Sequence, residues 1–416
     1  MKFSCDYNTL LTKLKYFTSV VEDALSNDDL KNIIFKFIKC DDKVRVKLVG
    51  INQLITFRRS LEDDCYTAEL EDSEFNDKNI FYIQLKSKEL LAFLDSYKGL
   101  RKTHVEEVTF ENLDAMNIKC SILEKDNDTD APYVSGWVFN NIGIKPNMIG
   151  AIELTEPETE LHCIPCTNIL VHTRNLVPIM QNGTNLYSNM QMDSSHVVAF
   201  NPAYTTVMTN MMNIGDVLTG LKLSYRGVAF MDKILCGDPY NDDEHAQFNE
   251  TTGFDEPYDY VKIAKTETHI FFRTKNSEAF IRYDTKLANY ETTAKMFVKD
   301  HAIVIDRIYL KDILKRLSLI NDMIEFNIKC TDNCVELKNS KYSQDIPILQ
   351  SKGLEDYQNI KFKIMPDVLN KAIIGDDAEF SDSTFVYFCP QQNGNAMIVF
   401  ADDSGTWFSI VKVKTY

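Results

Sequence analysis

The chain has 416 residues, of which 44% are hydrophobic, and its formal net charge at pH 7 is −16. This length predicts about two to four domains with a sizeable core, and the net charge argues against attraction to nucleic acid over the whole surface. The ten cysteines are too widely spread for a small disulfide scaffold and favour reduced thiols in a cytoplasm. No apolar stretch approaches the roughly 20 residues that span a bilayer, and the first residues contain no apolar signal region. We therefore expect a soluble, unexported protein.

A short alternating strand that runs directly into an amphipathic helix is predicted six times along the chain. In each copy, leucine-type residues recur at helical spacing, as at Leu10, Leu11 and Leu14. One such unit cannot bury its apolar face alone, so the sequence predicts a repeat architecture. The six predicted strands are Phe3–Asp6, Phe81–Leu85, Ile169–Val171, Leu221–Leu223, Val304–Asp306 and Phe362–Ile364.

Each strand-helix unit is followed by alternating strands with a turn signal between them, which is the pattern of a hairpin. The predicted strand pairs, in chain order, are 33–38 with 44–49, 105–110 with 116–122, 187–192 with 197–200, 260–264 with 269–274, 324–329 with 335–337, and 385–388 with 397–400.

Two changes in composition divide the six units into three pairs. The first is the polar run 124–130, which precedes a stretch over 131–159 that is predicted to be irregular because it carries three prolines. The second lies near 292–300. We expect domains at 1–125, 150–296 and 297–416, with an interdomain segment at 126–149. An acidic insert at 237–258 is predicted to be a surface loop.

Motifs of catalysis and metal binding are weak. The sequence contains no HExxH pattern, Gly-rich phosphate loop or GxSxG elbow, so we expect neither an enzyme nor a cofactor. The pair Cys163 and Cys166, with His162 and His172 nearby, is a single CxxC, whereas structural zinc sites usually show a second close pair. Buried or free thiols are the preferred interpretation and zinc the alternative. The acidic residues 242–244 lack the spacing of a calcium loop.

The opening Met1-Lys2-Phe3, the run 44–55 and the run 304–318 resemble segments of the bacterial β-type DNA sliding clamp, the DNA polymerase III beta subunit. The layout of three domains, each with two strand-helix-hairpin halves, is similar to the same family. The resemblance implies an α+β, three-domain clamp fold whose helices line a ring and whose sheets lie outside. It also implies a non-enzymatic homodimer, closed head to tail around double-stranded DNA.

The partners implied by the resemblance are a replicative DNA polymerase, which the clamp tethers for processivity, and a clamp loader. The divergence of the sequence suggests a phage-encoded member that acts in the cytoplasm of a bacterial host. The alternative is a structural β-rich viral or scaffold protein, which would have no reason to concentrate positive charge on the repeated helices. A nucleic-acid enzyme is the third possibility.

A sliding ring must attract phosphates without reading bases, so its lining needs exposed Lys and Arg. For any single helix, basic residues on a solvated face are the preferred interpretation, but their recurrence on the repeated units favours a lining, although the third and sixth helices each carry only one basic residue. The predicted DNA-binding residues are Lys13, Lys15, Lys88, Lys98, Arg101, Lys102, Arg174, Arg226, Lys233, Arg307, Lys311, Lys315, Arg316 and Lys371.

The resemblance also implies an apolar pocket, between the second and third domains, that takes a short partner peptide. This chain departs from the family's turn sequence and lacks its usual methionine and proline near the C-terminus. Ordinary packing residues of a β-domain are therefore the alternative at each position. The predicted peptide-binding residues are Phe200, Pro202, Tyr204, Thr205, Ala288, Tyr290, Thr293, Ile410, Val411 and Lys412.

Overall fold

The structure is a computed structural model, and it forms two compact units. The first unit comprises Met1–Cys163 and Lys233–Arg282, and the second comprises Ile164–Asp232 and Tyr283–Tyr416. The predicted three-domain division stays a prediction. The residues that the structure describes are 1–21, 31–41, 43–180, 188–192, 196–201, 204–209, 216–242, 245–249, 254–287, 302–320, 322–352, 360–373, 381–390, 395–402 and 407–415.

Strands dominate the described part of the chain. In chain order they are β1 Lys2–Asp6, β2 Asn32–Cys40, β3 Lys43–Ile51, β4 Ile55–Ser60, β5 Tyr66–Glu69, β6 Ile80–Lys86, β7 Thr103–Asn112, β8 Asn117–Asp126, β9 Pro132–Asn140, β10 His162–Pro165, β11 Asn189–Met192, β12 His196–Phe200, β13 Tyr204–Thr209, β14 Leu221–Ser224, β15 Ala246–Asn249, β16 Phe254–Pro257, β17 Tyr260–Lys265, β18 His269–Arg273, β19 Ser277–Arg282, β20 Ala302–Asp306, β21 Ile324–Lys329, β22 Cys334–Lys338, β23 Ser343–Lys352, β24 Lys361–Ile364, β25 Ser383–Pro390, β26 Asn395–Ala401 and β27 Trp407–Thr415.

The α-helices of the described residues are few and short. None of them is long and apolar enough to cross a membrane. They are α1 Tyr7–Val21, α2 Ser87–Asp95, α3 Pro146–Ile152, α4 Cys166–Met180, α5 Tyr225–Gly237, α6 Arg307–Ser318 and α7 Pro366–Ala372, and the 3-10 turns Asp72–Glu74 and Asp216–Leu218 accompany them.

Six of these helices follow a strand in the predicted pattern, but the strand predicted at Ile169–Val171 is wrong. Those residues lie inside α4, and the strand of this unit is β10. The Ile-Leu-Val run suggests a strand in isolation. In the structure Ile169, Leu176 and Ile179 are buried along α4 at intervals of seven and three residues, which places them on one helical face.

In the first unit, strands form a five-stranded sheet of order β5-β1-β7-β8-β9 and an eight-stranded sheet of order β10-β17-β18-β19-β4-β3-β2-β6. The rings of Phe3, Phe35 and Phe110 meet in the core with centroids 5.2–6.0 Å apart. Helix α1 packs closely on β3 and β4. A Cβ added at Gly50 would lie only 2.7 Å from Cδ1 of Phe17, so glycine permits this approach.

The segment predicted to be irregular contains a strand and a helix. Strand β9 pairs with β8 from Lys125 opposite Pro132 to Asn117 opposite Asn140, and Met148 and Ile152 of α3 pack in a buried cluster with residues of β2 and β3. The prolines misled the prediction because Pro132 begins an edge strand and Pro146 occupies the start of a helix. Both are positions where the missing N–H costs little.

The acidic insert is likewise more ordered than a plain loop. Strands β15 and β16 pair with each other, with Ala246 opposite Pro257, and an isolated bridge joins Tyr240 to Tyr260. Two of the acidic residues considered for a cation site, 243 and 244, lie outside the described residues.

In the second unit, twelve strands follow the order β14-β11-β12-β13-β27-β24-β21-β22-β23-β20-β25-β26, with an additional pairing of β27 with β26. That pairing returns the sheet to β27, so the eight strands from β20 to β27 form a closed circuit. The buried residues Leu310, Ile313, Leu314 and Leu317 of α6 show why this helix forms, since they make one apolar stripe.

A buried histidine in α4 generates a prediction about acid stability. His172 is buried, neither of its ring nitrogens has a hydrogen-bond partner, and burial lowers its pKa to about 4. An unfolded chain binds a proton near the ordinary value of about 6.5, whereas the folded chain does not until about 4. Stability should therefore fall as the pH drops from about 6.5 to 4.

We expect His172→Leu to remove this loss. Between pH 7 and pH 4.5, the free energy of unfolding in urea should fall by about 2 kcal/mol more in the native protein than in the variant. The exposed His162, changed to Leu, is the control and should follow the native protein. An unchanged pH dependence in His172→Leu would contradict the assignment.

Candidate nucleic-acid interface and partner-binding strands

Helices α1 and α2 of the first two repeat units lie together and turn their apolar faces to the core. The hydroxyl of Tyr7 donates a hydrogen bond to the carbonyl oxygen of Leu94 at 2.8 Å, and Leu10, Leu14 and Leu90 are fully buried. The opposite faces are solvated, and they carry the exposed residues Lys15 and Lys88. The predicted basic residues of these helices therefore divide according to the face on which they lie.

Two lysines of this region lie side by side at the surface. The positive ammonium group of the neighbouring Lys98 lowers the pKa of Lys15. The Asp95 carboxylate, an ion-pair partner of Lys98, raises the pKa of Lys98. Arg101 and Lys102 follow in the next turn, and both are exposed. We call Lys15, Lys98, Arg101 and Lys102 the basic cluster. Mutual repulsion of this kind is relieved when an anion binds.

Four more of the predicted DNA-binding residues are exposed, and they lie on α4, α5 and α6. Arg174 of α4 is exposed, with Nε 3.8 Å from Oδ1 of Asp232, and Lys233 of α5 is also exposed. Lys315 and Arg316 occupy the last turn of α6 and are exposed. Cations at that end of a helix also stabilise its dipole, so their position suits both a structural role and phosphate binding.

Two predicted residues are only partly exposed. Arg226 near the start of α5 is half-buried. Lys371 of α7 is half-buried as well, and its Nζ lies 3.0 Å from Oδ2 of Asp367 one turn earlier. An intrahelical pair of this kind neutralises the charge locally, so α7 contributes less positive charge than its sequence suggests.

Three predicted DNA-binding residues are buried and bonded within the protein: Lys13, Arg307 and Lys311. Lys13 Nζ lies 3.0 Å from Oε1 of Glu62 and 3.3 Å from the carbonyl oxygen of Ser60. Such contacts anchor neighbouring elements and leave little of the side chain for a phosphate. The sequence held a signal of this burial, because Lys13 lies in the stripe of Leu10, Leu14 and Phe17.

The other two buried cations bind backbone carbonyls of the sixth repeat unit. Nε of Arg307 donates to the oxygen of Ser381 at 2.7 Å. Nζ of Lys311 donates to the oxygen of Ile373 at 3.0 Å. Because Ile373 follows the last residue of α7, Lys311 satisfies a carbonyl at the negative end of that helix. Neither function is visible from charge periodicity.

The predicted peptide-binding residues fall on two strands that pair with each other. In the register of β13 and β27, Tyr204 is opposite Val411 and Thr205 is opposite Ile410. Ile410 and Val411 are buried, whereas Lys412 is exposed. Phe200, at the end of β12, is half-buried and opposite Thr205. Four predicted positions, Pro202, Ala288, Tyr290 and Thr293, lie outside the described residues.

The same pairing belongs to a wider pattern in the repeats. Each of the six units ends in strands of which the last is, in order, β4 with its continuation β5, then β9, β13, β19, β23 and β27. Within the chain, β4 pairs with β19, and β13 pairs with β27. We call these two pairings the seams. Strands β9 and β23 are the two final strands that take part in neither seam.

Strand β9 is unusually exposed and apolar. It pairs with β8 on one side and is the edge of the five-stranded sheet. Tyr133 is 51%, Val134 70%, Trp137 59% and Val138 48% exposed. An exposed apolar edge strand is a site where another strand adds readily. The prediction of an irregular segment concealed this edge.

The candidate metal ligands of the sequence are not brought together. Cys163 is exposed and Cys166 is buried. Among the described residues, the one group of three potential ligands with atoms within 4.8 Å of one another is Glu62, Asp64 and Cys65. Glu62 already binds Lys13, so this group is explained as part of a surface ion pair.

Comparisons with known proteins identify the fold. No family model and no curated protein matches the sequence. Among solved structures, the sliding clamp of Bacillus subtilis is 16% identical with a TM-score of 0.64, over 100% of both chains. The DNA polymerase III beta chain of Streptococcus pneumoniae is 12% identical with a TM-score of 0.64, and the Helicobacter pylori beta clamp bound to a DNA ligase peptide is 12% identical with a TM-score of 0.60, each over 99% of both chains.

These similarities extend from end to end of both chains and confirm the predicted α+β clamp architecture. At such low identity they establish the fold alone. The chain therefore has, over its full length, the fold of the bacterial DNA polymerase III beta sliding clamps.

Proposed function

We propose that this protein is a DNA sliding clamp, which encircles duplex DNA without sequence specificity and tethers a DNA polymerase. The observation that supports the proposal is the similarity to clamps over the full length, which covers 100% of both chains for the Bacillus subtilis structure. Such a protein would act by encircling the DNA, and it needs no catalytic residues. Its place of action is the cytoplasm of a bacterial cell, as the sequence predicts, and a clamp loader would open and close it there.

The DNA contact would come from the exposed basic residues of the repeat helices. The basic cluster, Lys88, Arg174, Lys233, Lys315 and Arg316 are accessible to solvent. Flexible cations of this kind attract phosphates but carry no base-reading geometry, as sliding requires. Lys13, Arg307 and Lys311 are left out of the proposed contact because their ammonium and guanidinium groups are bonded inside the protein.

Ring closure would extend the seam pattern between two copies of the chain. Strands β9 and β23 are the final strands that the two seams leave over, and β9 carries exposed Val134 and Trp137. On β23, residues 343–347 pair with β22 and residues 348–352 turn to pair with β20. In the first repeat unit, β4 pairs with β3 and its continuation β5 turns to pair with β1. The other side of β4 is then left for the seam with β19. We propose that β9 of one protomer pairs with residues 343–347 of the other, which gives a head-to-tail homodimer.

Partner peptides would bind beside the β13–β27 seam. The Helicobacter pylori clamp is described as bound to a DNA ligase peptide. In this chain, the buried pair Ile410 and Val411 and the exposed Lys412 lie on the strand opposite Tyr204 and Thr205. A polymerase peptide with aliphatic and aromatic anchors is the proposed ligand.

Ring closure through β9 predicts the mass in solution. We expect light scattering to give close to twice the protomer mass of 47.9 kDa, with X-ray scattering of a hollow ring. Trp137→Glu should shift the protein to the monomer mass, because a charge would be buried in the interface. The control Leu113→Glu changes a residue that is 53% exposed in a turn and should stay dimeric. A native protein that is monomeric at all concentrations would contradict this proposal.

The basic cluster predicts a salt effect on DNA binding. We expect Lys15→Gln/Lys98→Gln to weaken binding of two duplexes of unrelated sequence equally. The slope of log K against log salt should fall by about 0.9 for each phosphate that the variant no longer neutralises. The measurement is fluorescence anisotropy. Lys2→Gln/Lys119→Gln removes two exposed lysines from the five-stranded sheet and should leave the slope unchanged. Equal slopes for both double variants would show that the basic cluster does not contact the DNA phosphates.

Encirclement itself is tested without a loader. The protein is mixed with linear plasmid, the plasmid is closed by ligation, and retention at high salt is measured by gel filtration. Circular DNA should retain protein, and relinearisation should release it. Retention that survives relinearisation would indicate ordinary binding and would overturn the clamp proposal.

The peptide site predicts an effect of a charge on β27. Lys412→Glu should weaken binding of a C-terminal peptide of a replicative polymerase severalfold, as measured by calorimetry, because its side chain is the exposed one beside the buried pair. Lys338→Glu on β22 is the matched control. Identical affinity of the peptide for both variants would show that the peptide does not bind beside Lys412.

A further inference from the structure

A second positively charged site lies in the first unit, on the strands of the eight-stranded sheet. It is a cleft of about 320 Å³ between β3, the end of β4 and the turn that joins β18 to β19. The charged residues that line it are Arg45, Lys47, Asp63, Arg273, Lys275 and Glu278. These are four cations and two carboxylates, an excess of positive charge in a chain whose net charge is −16.

Two of the four cations are already paired. Nζ of Lys47 lies 3.1 Å from Oε1 of Glu278, and Nη1 of Arg273 lies 2.6 Å from Oε1 of Glu156. Arg45 and Lys275 are exposed and form no ion pair with any residue that the structure describes. The excess charge of the cleft is therefore concentrated on Arg45, on the β3 side, and on Lys275, on the side of the β18–β19 turn.

The wall between these two cations is held in place. Glu278 is largely buried and binds both Lys47 and Arg58, whose Nη1 is 3.5 Å from its Oε2. Burial alone would raise the pKa of Glu278, but Lys47 and Arg58 hold that pKa below its usual value, so the carboxylate stays ionised. Arg58 also donates to the carbonyl oxygen of Ile152 at 2.7 Å. A fixed wall lowers the entropy cost of binding a ligand.

We propose that this cleft binds an acidic peptide segment of a partner protein, with carboxylates of the peptide on Arg45 and Lys275. The volume is at the lower end of the usual range for ligand pockets, which suits two or three side chains of an extended segment. The site is distinct from the repeat helices and from the β13–β27 seam, and it does not depend on the proposed clamp function.

The chemistry of the cleft favours a peptide over a nucleic-acid strand. None of the residues that line it is aromatic, whereas single-stranded nucleic acid is usually held by stacking of its bases on aromatic rings. Asp63 is exposed, and its Oδ1 accepts a long hydrogen bond of 3.4 Å from the Tyr66 hydroxyl. Its carboxylate can therefore accept a hydrogen bond from a backbone N–H of the ligand. A peptide supplies such donors, but a phosphodiester backbone has none.

The test is a fluorescence anisotropy titration of the full-length protein with a labelled peptide of alternating Glu and Gly. The native protein should bind it, and Arg45→Gln/Lys275→Gln should weaken binding at least tenfold. Both side chains are exposed, so the variant should keep the native unfolding temperature. Lys2→Gln/Lys119→Gln removes the same charge elsewhere in the first unit and should leave the affinity unchanged.

Three outcomes would overturn the proposal. The first is equal affinity of the acidic peptide for the two double variants. The second is equal affinity of the native protein for a peptide with Gln in place of Glu. The third is tighter binding of a single-stranded oligonucleotide than of the peptide, with the same dependence on Arg45 and Lys275, which would assign the cleft to nucleic acid.

Discussion

Hydrogen bonding between the final strands of the repeats is the constraint on which the architecture depends. A strand edge exposes N–H and C=O groups that must find partners or remain in water. The chain satisfies four of its six final strands by pairing β4 with β19 and β13 with β27. Of the other two, β9 is the edge of its sheet, whereas β23 pairs with β22 along its first half and with β20 along its second half. In the proposed dimer, a second copy of the chain gives β9 a strand partner, and that pairing buries the apolar side chains of β9.

The basic residues show how one residue type serves two purposes on the same helix. Lys13 and Lys311 lie deep in the protein, where removal from water is costly and is offset by hydrogen bonds to backbone oxygens. Lys15 and Lys98 are the opposite case, because two like charges lie together at the surface. Such a pair of like charges is unfavourable in the free protein. That arrangement does not help folding, and it suits a surface that receives anions.

Sequence periodicity predicted the parts of the fold that rest on local patterns. Strands such as β21 and helices such as α6 appear where alternation and leucine spacing placed them. The predictions failed where a tertiary contact decides. Strand β9 forms because β8 offers its edge, α3 forms over buried Ile34 and Val49, and Ile169 is helical because it faces the core. For the same reason, charge spacing alone could not separate buried Lys311 from exposed Lys315.

The cleft and the basic cluster differ in the anion that each can hold, although both are positive regions of an acidic protein. Exposed charges farther apart than a screening length of about 8 Å interact weakly at physiological salt, so each region acts through its own neighbours rather than through the net charge. The basic cluster has Asp95, already paired with Lys98, as its nearby carboxylate. Of the two carboxylates that line the cleft, Glu278 is paired with Lys47 and Arg58, whereas Asp63 is exposed. Carboxylates repel any anion, but a peptide also offers backbone N–H groups that donate hydrogen bonds to them, which a phosphodiester backbone lacks. The placement of acids beside bases is therefore the feature on which the proposed difference between a surface for DNA and a surface for protein rests.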